Sequence, residues 1–155
     1  KEYRLVGYEN RILNNEDFED DEKDAGELGA GAVVTAFYEI VPADGTETQD
    51  FRYRDTNAKP SDELMYLKIR YKDPDGTESK LIEEPIGSII NTNPSENFKF
   101  ASAAAQLGMI LNDSEYKGSA TLENVIKQAQ SGVGKDEFGF KHEFIQLVDL
   151  IKYIN

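Results

Sequence analysis

The fold is decided by the segment Leu64-Met65-Tyr66-Leu67-Lys68-Ile69-Arg70-Tyr71-Lys72, which is followed by Asp73-Pro74-Asp75-Gly76. Apolar residues recur at every second position of this segment, which is typical of a half-buried β-strand. Proline then pre-sets a turn, and glycine is suited to the positive φ that would close it. We therefore predict an antiparallel hairpin in which residues 79–84 form the returning strand.

Other parts of the N-terminal half have similar patterns. Residues 32–41 alternate, and the predicted apolar face consists of Val34, Ala36, Tyr38 and Ile40. Residues 3–8 are predicted to form an opening strand. Asp44-Gly45 predicts a turn, residues 49–54 a further strand, and residues 55–63 a surface loop.

The C-terminal half changes to a helical period. Asn93-Pro94-Ser95-Glu96 predicts a helix start, with asparagine as the cap, proline at the first helical position and glutamate at the third. A second helix is predicted from a cap at Thr121 to Gly132. A third is predicted to reach almost to Asn155, with one face made of Phe140, Phe144, Leu147, Val148 and Ile151. We also expect core packing from five phenylalanines, Phe98, Phe100, Phe138, Phe140 and Phe144.

Strands followed by helices, without βαβ alternation, indicate the α+β class. The predicted architecture is an antiparallel β-sheet or sandwich in the N-terminal half, packed against about three C-terminal α-helices. We expect one domain over residues 1–155, mainly β in 1–84 and mainly α in 94–155, with residues 85–94 as the joint. Because the chain begins at Lys1 in strand-like sequence, we expect a domain excised from a longer protein.

Composition excludes several classes of function. The net charge of −13, from 30 acidic and 17 basic side chains, argues against nucleic acid and against anionic membranes as partners. The chain has no cysteine, so it has no disulfide and no thiolate chemistry. Its apolar stretches are shorter than the roughly 20 residues of a spanning helix, so we expect no direct membrane insertion by this chain.

The negative charge is concentrated in one segment, residues 16–27, which we call the acidic window. It carries −7 of the −13, because only Lys23 opposes eight carboxylates. Hard cations bind clustered carboxylates, so Asp17, Asp20, Asp21 and Asp24 are candidate calcium ligands. The spacing does not match an EF-hand loop, and a solvated loop is the interpretation we favour over a metal site. We therefore expect no cofactor, with calcium as the alternative.

The acidic window is also the most available interaction surface. We expect Arg11 to organise it through a carboxylate pair with Asp24 or Glu27. The candidate interaction residues share a location in or beside the window: Arg11, Glu16, Asp17, Asp20, Asp21, Asp24 and Glu27.

Signals for catalysis are weak. Gly26-Glu27-Leu28-Gly29-Ala30-Gly31 is glycine-rich, but it lacks the lysine and Ser/Thr of a P-loop and the flanking strand and helix of a dinucleotide fingerprint. His142 is the single histidine, and no Gly-x-Ser-x-Gly elbow accompanies it. We favour a histidine on a helix surface and a protein that is not an enzyme; a hydrolase with His142 as the base is the less favoured alternative.

Several segments resemble a known family. They are Val6-Gly7-Tyr8-Glu9-Asn10-Arg11, Asn15-Glu16-Asp17-Phe18, Asp24-Ala25-Gly26-Glu27-Leu28-Gly29-Ala30-Gly31, Val34-Thr35-Ala36-Phe37-Tyr38-Glu39-Ile40, Leu67-Lys68-Ile69-Arg70-Tyr71-Lys72, Phe98-Lys99-Phe100-Ala101-Ser102-Ala103-Ala104-Ala105 and Glu143-Phe144-Ile145-Gln146-Leu147-Val148. The chain is similar along nearly its whole length to a domain of unknown function. In that family the domain lies directly C-terminal to a von Willebrand factor type A domain in bacterial envelope proteins.

The resemblance implies an accessory domain that supports its upstream A domain or associates with other, unidentified proteins. It also implies a location in the bacterial cell envelope, periplasmic or lipid-anchored through a segment not present here. The adhesion motif of the A domain, Asp-x-Ser-x-Ser, does not occur in this chain, so none of its metal-binding residues is carried over.

Overall fold

The computed structural model describes residues 2–7, 15–20, 22–23, 26–29, 31–41, 62–87 and 91–154. Within these ranges four strands come first, followed by three helices, with a short 3-10 helix at Asn15–Glu19 between the first two strands. The strands are β1 (Glu2–Leu5), β2 (Tyr38–Val41), β3 (Glu63–Tyr71) and β4 (Lys80–Gly87), and the helices are α1 (Glu96–Leu111), α2 (Leu122–Ser131) and α3 (Phe140–Ile151). This order confirms the predicted α+β class.

The hairpin predicted from the opening segment is present. Strands β3 and β4 pair antiparallel, with Ile69 opposite Ile82 and Arg70 opposite Leu81. The returning strand extends to Gly87, beyond the predicted end, and Pro85 lies within it opposite Tyr66. A proline in a strand fits an edge, where no ladder donor is required. The predicted joint therefore begins later than residue 85.

The hairpin turn differs in one detail from the prediction. The amide of Gly76 donates to the carbonyl of Asp73 at 2.9 Å, which closes the turn. Gly76 is not among the glycines with positive φ, so it is not needed for a left-handed backbone. A Cβ at this position would lie 3.3 Å from the backbone N and O of Asp73, so lack of space favours glycine.

The strand predicted over residues 32–41 is shorter in the structure. Only β2 lies in a ladder, paired with β1, and Arg4 Nε contacts Glu39 Oε2 at 2.6 Å beside it. The amide of Val6 donates to the carbonyl of Phe37 at 2.8 Å, and the chain then bends at Gly7, where φ is 72°. Residues 32–36 consequently have no partner strand in the described part of the chain. The predicted burial of Val34 is wrong, since 72% of its surface is exposed.

One predicted strand and the turn and loop beside it lie entirely or largely outside the described residues. Residues 49–54, the turn at Asp44-Gly45 and most of the loop at 55–63 belong to this group, as does Tyr8 at the end of the predicted opening strand.

Helix α1 begins two residues after the predicted start. Its cap is Ser95 rather than Asn93, because the Ser95 hydroxyl accepts a hydrogen bond from the amide of Phe98 at 3.2 Å. Asn93 instead donates its amide to the side chain of Asn91 at 2.9 Å, in a turn that precedes the helix. Helix α2 begins after the cap Thr121 and ends at Gly132, as predicted.

The three helices share a small core. Its four fully buried residues are Ala103 from α1, Val125 and Ala129 from α2, and Val148 from α3. The apolar residues packed around it are Phe100, Leu107, Ile110, Leu122, Ile126, Phe144 and Ile145. Gln128 links α2 to α1, because its amide nitrogen donates to the Ser102 hydroxyl at 2.6 Å and its amide oxygen accepts from Gln106 at 3.0 Å.

The predicted buried face of α3 is partly wrong. Val148 is 0% exposed but Leu147 is 55% exposed, because successive residues lie roughly 100° apart around a helix and the buried face centres on Val148. Phe140, at the first position of the helix, is also mainly exposed. The regular helix ends at Ile151, earlier than predicted, and the last amides donate to carbonyls three residues back.

The predicted phenylalanine core is likewise only partly correct. Phe100 and Phe144 pack edge to face, with ring centroids 5.2 Å apart, beside the buried core. Phe98 and Phe140 are mainly exposed because they lie off the faces through which α1 and α3 contact the core, and Phe138 is mainly exposed in the turn before α3.

Backbone proximity divides the described chain into two compact units. The N-terminal unit takes described residues from Lys1–Arg4, Tyr8–Val34 and Tyr38–Ile90, and the helical unit takes them from Leu5–Gly7, Thr35–Phe37 and Asn91–Asn155. Among the helices in the described ranges, none is both long enough and apolar enough to cross a membrane.

Candidate functional site

The acidic window is held by internal contacts in the N-terminal unit. Asp17, in the 3-10 helix, pairs with Lys23 at 3.0 Å and is largely buried. Asp20 accepts the amide of Glu22 at 2.9 Å and remains exposed. The hydrogen bond and the charge of Asp17 raise the pKa of Lys23, so this lysine stays protonated beside the carboxylates. Glu27 lies exposed at the far end of the window.

Arg70 of β3 connects this window to the hairpin. Its guanidinium donates to the backbone carbonyl of Glu19 at 3.1 Å, across 51 positions of sequence, and lies over the ring of Phe18 at 5.8 Å from the centroid. The prediction that Arg11 organises the window through Asp24 or Glu27 falls on residues of which only Glu27 is described. Arg11, Asp21 and Asp24, and the side chain of Glu16, lie outside the described residues.

No cluster of three or more metal-ligating side chains occurs within the residues that the structure describes. Of the four candidate calcium ligands, Asp17 and Asp20 are described, and Asp17 already has an ammonium partner. In the Gly-rich segment, the amide of Ala32 donates a hydrogen bond to the carbonyl of Gly29 at 3.0 Å, which forms a local turn.

His142 has a carboxylate partner that sequence reasoning missed. Its ring Nδ1 lies 2.7 Å from Asp136 Oδ2, and the histidine side chain is 65% exposed while that of Asp136 is 7% exposed. The carboxylate also accepts the backbone amides of His142 at 3.0 Å and Lys141 at 3.2 Å. Since Gly139, the residue before α3, is left-handed and makes no side-chain cap, Asp136 takes over that role.

The electrostatics of Asp136 agree with this capping role. Burial raises the pKa of the carboxyl, but the backbone and side-chain hydrogen bonds from His142 and the amide of Lys141 outweigh it, and the pKa lies below its ordinary value. A charged carboxylate at the first turn of a helix is also favoured by the helix dipole.

A pocket of about 370 Å³ opens in the helical unit. Its walls come from the segment Thr35–Phe37, from α1 and from α3, and we call it the Phe98 pocket after the residue on its rim. The residues that decide its chemistry are Thr35, Phe37, Asn97, Phe98, Phe100 and Lys141. Phe37 and Phe98 meet edge to face, with centroids 5.3 Å apart.

Lys141 lines one side of this pocket. Its ammonium donates to the carbonyl of Val133 at 2.8 Å, and to the carbonyl of Gly132 and the side-chain oxygen of Asn97 at 3.3 Å each. The same ammonium lies 5.3 Å from the ring centroid of Phe100. All of these partners are neutral, and no carboxylate lies within salt-bridge distance of it in the described part of the chain.

The hairpin presents an apolar face in the N-terminal unit. Ile69 and Ile82 are cross-strand neighbours, 47% and 50% exposed, and Tyr71 lies on the same side of β3. We call this surface, made of Ile69, Tyr71 and Ile82, the Ile69 face. Arg70 and Leu81 lie on the opposite side of the hairpin, where Arg70 contacts the acidic window.

Comparison with known proteins gives one family. The family described as "Uncharacterized protein YfbK, C-terminal" matches residues 1–154. A relative from Escherichia coli strain K12, described as "Uncharacterized protein YfbK", is 39% identical over 154 residues, which cover 96% of this chain. The matched region is 27% of the relative, so the chain spans about a quarter of that protein's length. No solved structure matches the chain.

The family match takes in the acidic window, the hairpin and all three helices. The chain belongs to the family of the YfbK C-terminal domain.

Proposed function

We propose that this chain is a non-catalytic interaction domain that binds a von Willebrand factor type A domain of the same protein. In this proposal it supports the A domain or links it to other proteins at the bacterial cell envelope, in the periplasm or on a lipid-anchored protein. The resemblance given above supplies the partner. The length of the relative, well beyond the matched region, leaves room for such a neighbour.

The observation that carries the proposal is the Ile69 face. Ile69, Tyr71 and Ile82 keep roughly half of their surfaces in contact with solvent, although they belong to one side of one hairpin. A two-stranded sheet is marginally stable in water unless another surface packs on it. Contiguous exposed apolar side chains are also typical of protein interfaces. A protein surface that covers the Ile69 face would satisfy both conditions.

Charge supports the same role. The acidic window carries −7 and lies against the other side of the hairpin through Arg70. Exposed carboxylates of one sign steer a partner of complementary charge during encounter, even when they lie on a different side of the hairpin from the contact surface. The described carboxylates of the window that are exposed, and to which the proposal gives this role, are Glu19, Asp20, Glu22 and Glu27.

The proposal assigns no catalytic role to His142. The contacts of Asp136 support this assignment, because two helix amides and the imidazole use the carboxylate as a cap for α3. A calcium-binding role for the acidic window is not part of the proposal, since Lys23 already neutralises Asp17.

Titration calorimetry of the 155-residue chain with the A domain tests the proposal. We expect a dissociation constant in the micromolar range, and Ile82→Ser should weaken it at least about tenfold by removing apolar contact. Leu81→Ser is the matched control, because Leu81 is adjacent, 43% exposed and on the other side of the hairpin. Its effect should stay within about twofold. Changing Asp17, Asp20, Asp21 and Asp24 to asparagine should lower the association rate.

Absence of association at roughly 0.5 mM of each protein would contradict the proposal. Equal losses from Ile82→Ser and Leu81→Ser would contradict the assignment of the Ile69 face.

A further inference from the structure

We propose that the Phe98 pocket receives one aromatic side chain of the partner protein, with a carboxylate of the same peptide segment placed at Lys141. This inference rests on the proposed function, because the occupant is a segment of a partner protein. It assigns that function a second contact, in the helical unit, with its own chemistry.

The walls of the pocket favour an aromatic group. Phe37, Phe98 and Phe100 contribute three rings, and a volume of about 370 Å³ accepts one large side chain. Phe37 meets Phe98 edge to face, and Phe98 remains 52% exposed, so part of its ring surface is available to a third ring. Aromatic rings gain roughly 0.5–1.5 kcal/mol from such packing beyond the area they bury.

The polar groups of the pocket are donors. The three N–H groups of the Lys141 ammonium are taken by the neutral oxygens of Asn97, Gly132 and Val133, so among the described residues its hydrogen bonds are made but its positive charge is not neutralised. The amide nitrogen of Asn97 and the hydroxyl of Thr35 are further donors at the lining, where no carboxylate is present. An acceptor with negative charge complements this set.

The charge distribution of the chain permits an acidic ligand here. Residues 91–155 contain 8 acidic and 6 basic side chains, which is −2 of the total of −13. Nearly all of the negative surplus belongs to residues 1–90. The net charge of this part of the chain therefore opposes an acidic ligand much less than that of residues 1–90 would, although the Asp136 carboxylate lies at the backbone amide of Lys141.

The openness of the pocket favours a peptide over a free small molecule. Phe98 keeps 52% of its surface exposed at the rim. Sites for small molecules bury roughly 70–90% of the ligand, which an open pocket of this kind does not achieve. The main chain of a peptide would cover the rim while one side chain fills the pocket.

The test uses an acetylated, amidated probe of sequence Gly-Glu-Phe-Glu-Gly and ¹⁵N NMR of the whole 155-residue chain. We expect saturable shifts of the amides of Asn97, Ala101 and Lys141, with a dissociation constant of about 1 mM or below. The peptides Gly-Glu-Ala-Glu-Gly and Gly-Lys-Phe-Lys-Gly should each bind at least about fivefold more weakly. Phe98→Ala should weaken the binding of the probe to a similar extent.

Phe138→Ala is the matched control, since Phe138 is an exposed phenylalanine that does not line the pocket. It should leave probe binding unchanged. Phe98→Ala removes an exposed ring and keeps the backbone amide that Ser95 caps, so the fold is retained.

Three results would overturn the inference: equal binding of the alanine peptide, equal binding of the lysine peptide, or 3-phenylpropanoate binding as tightly as the probe. The A domain separates this inference from the proposed function. If the A domain binds and Phe98→Ala leaves its affinity unchanged, the pocket assignment is wrong and the proposed function stands. If the probe binds and the A domain does not, the proposed partner is wrong.

Discussion

Gly132 lies directly against the backbone of Phe100: a Cβ built on Gly132 would come within 2.5 Å of the Phe100 amide nitrogen. The end of α2 thus approaches the first turn of α1 so closely that only glycine fits. Phe100 in turn borders both the core and the Phe98 pocket. The approach therefore links the stability of the helical unit to the shape of the pocket.

Gly132→Ala should destabilise the helical unit by about 1–3 kcal/mol, because the clash is with backbone and cannot be relieved by a rotamer change. Urea unfolding followed by circular dichroism measures the change. Gly108→Ala is the control: Gly108 is within α1 and a Cβ there meets no atom within 4 Å. It should stabilise the chain by about 0.5–1 kcal/mol. Destabilisation of similar size in both variants would show that the close approach does not matter.

The neighbours Val148 and Leu147 test the position of the core. Val148→Ala should cost about 1–3 kcal/mol, since the valine is fully buried against α2 and leaves a cavity. Leu147→Ala should change the free energy of unfolding by no more than about 0.5 kcal/mol, because the leucine is mostly exposed. Chemical denaturation of both variants measures the two changes in the free energy of unfolding. A larger loss of stability in Leu147→Ala than in Val148→Ala would contradict the described core.

Asp136 should make the stability of α3 depend on acid pH. Its pKa in the folded state lies below the ordinary value near 3.9, so the stability it contributes is present above about pH 4 and is lost as the pH falls through the folded-state pKa. We expect Asp136→Ala to lower the melting temperature by roughly 2–4 °C at neutral pH. The difference from wild type should shrink below about pH 4.

Glu137→Ala serves as the control for this effect. Glu137 is adjacent and exposed, and its carboxylate contacts Lys135 at 3.3 Å rather than the helix amides. Its variant should melt like wild type at every pH. If the difference in melting temperature between Asp136→Ala and wild type persists unchanged to pH 2, the charge of the carboxylate is not involved.

Arg70 should govern the local stability of the acidic window. Arg70→Lys keeps the charge but loses the planar group that reaches Glu19 and covers Phe18. We expect the amides of Asp20 and Lys23, which donate to carbonyls within the window, to exchange with deuterium several times faster. Lys68→Arg, on the same strand and in contact with Glu83 at 3.6 Å, should leave these rates unchanged. Unchanged exchange in Arg70→Lys would exclude the arginine as the anchor.

Local sequence signals predicted much of the fold correctly. The period-2 segment and the turn at Asp73 gave β3 and β4, and the cap at Thr121 gave the start of α2. The boundary of α1 was missed because Asn93 and Ser95 are both good caps, and only the contact with Phe98 decides between them. Leu147 was placed on the wrong face because position on a helix wheel does not say where the neighbouring helix packs.

Fewer residues of the candidate site than of the fold could be predicted from the sequence. Composition identified the acidic window, but its contact with Arg70 joins residues 51 positions apart, a separation that local patterns do not resolve. Asp136 was missed because it lies three residues before the cap position Gly139, outside the usual cap pattern. The polar and aromatic residues of the Phe98 pocket come from segments separated by more than a hundred positions, so only the fold brings them together.

We propose that the Ile69 face binds the A domain. Methyl NMR of Ile69 and Ile82, recorded while the A domain is titrated into the labelled chain, tests it most directly. If the face is the contact surface, the δ1-methyl signals of both isoleucines shift and saturate with the affinity measured by calorimetry. Saturable binding that leaves these two signals in place would contradict it.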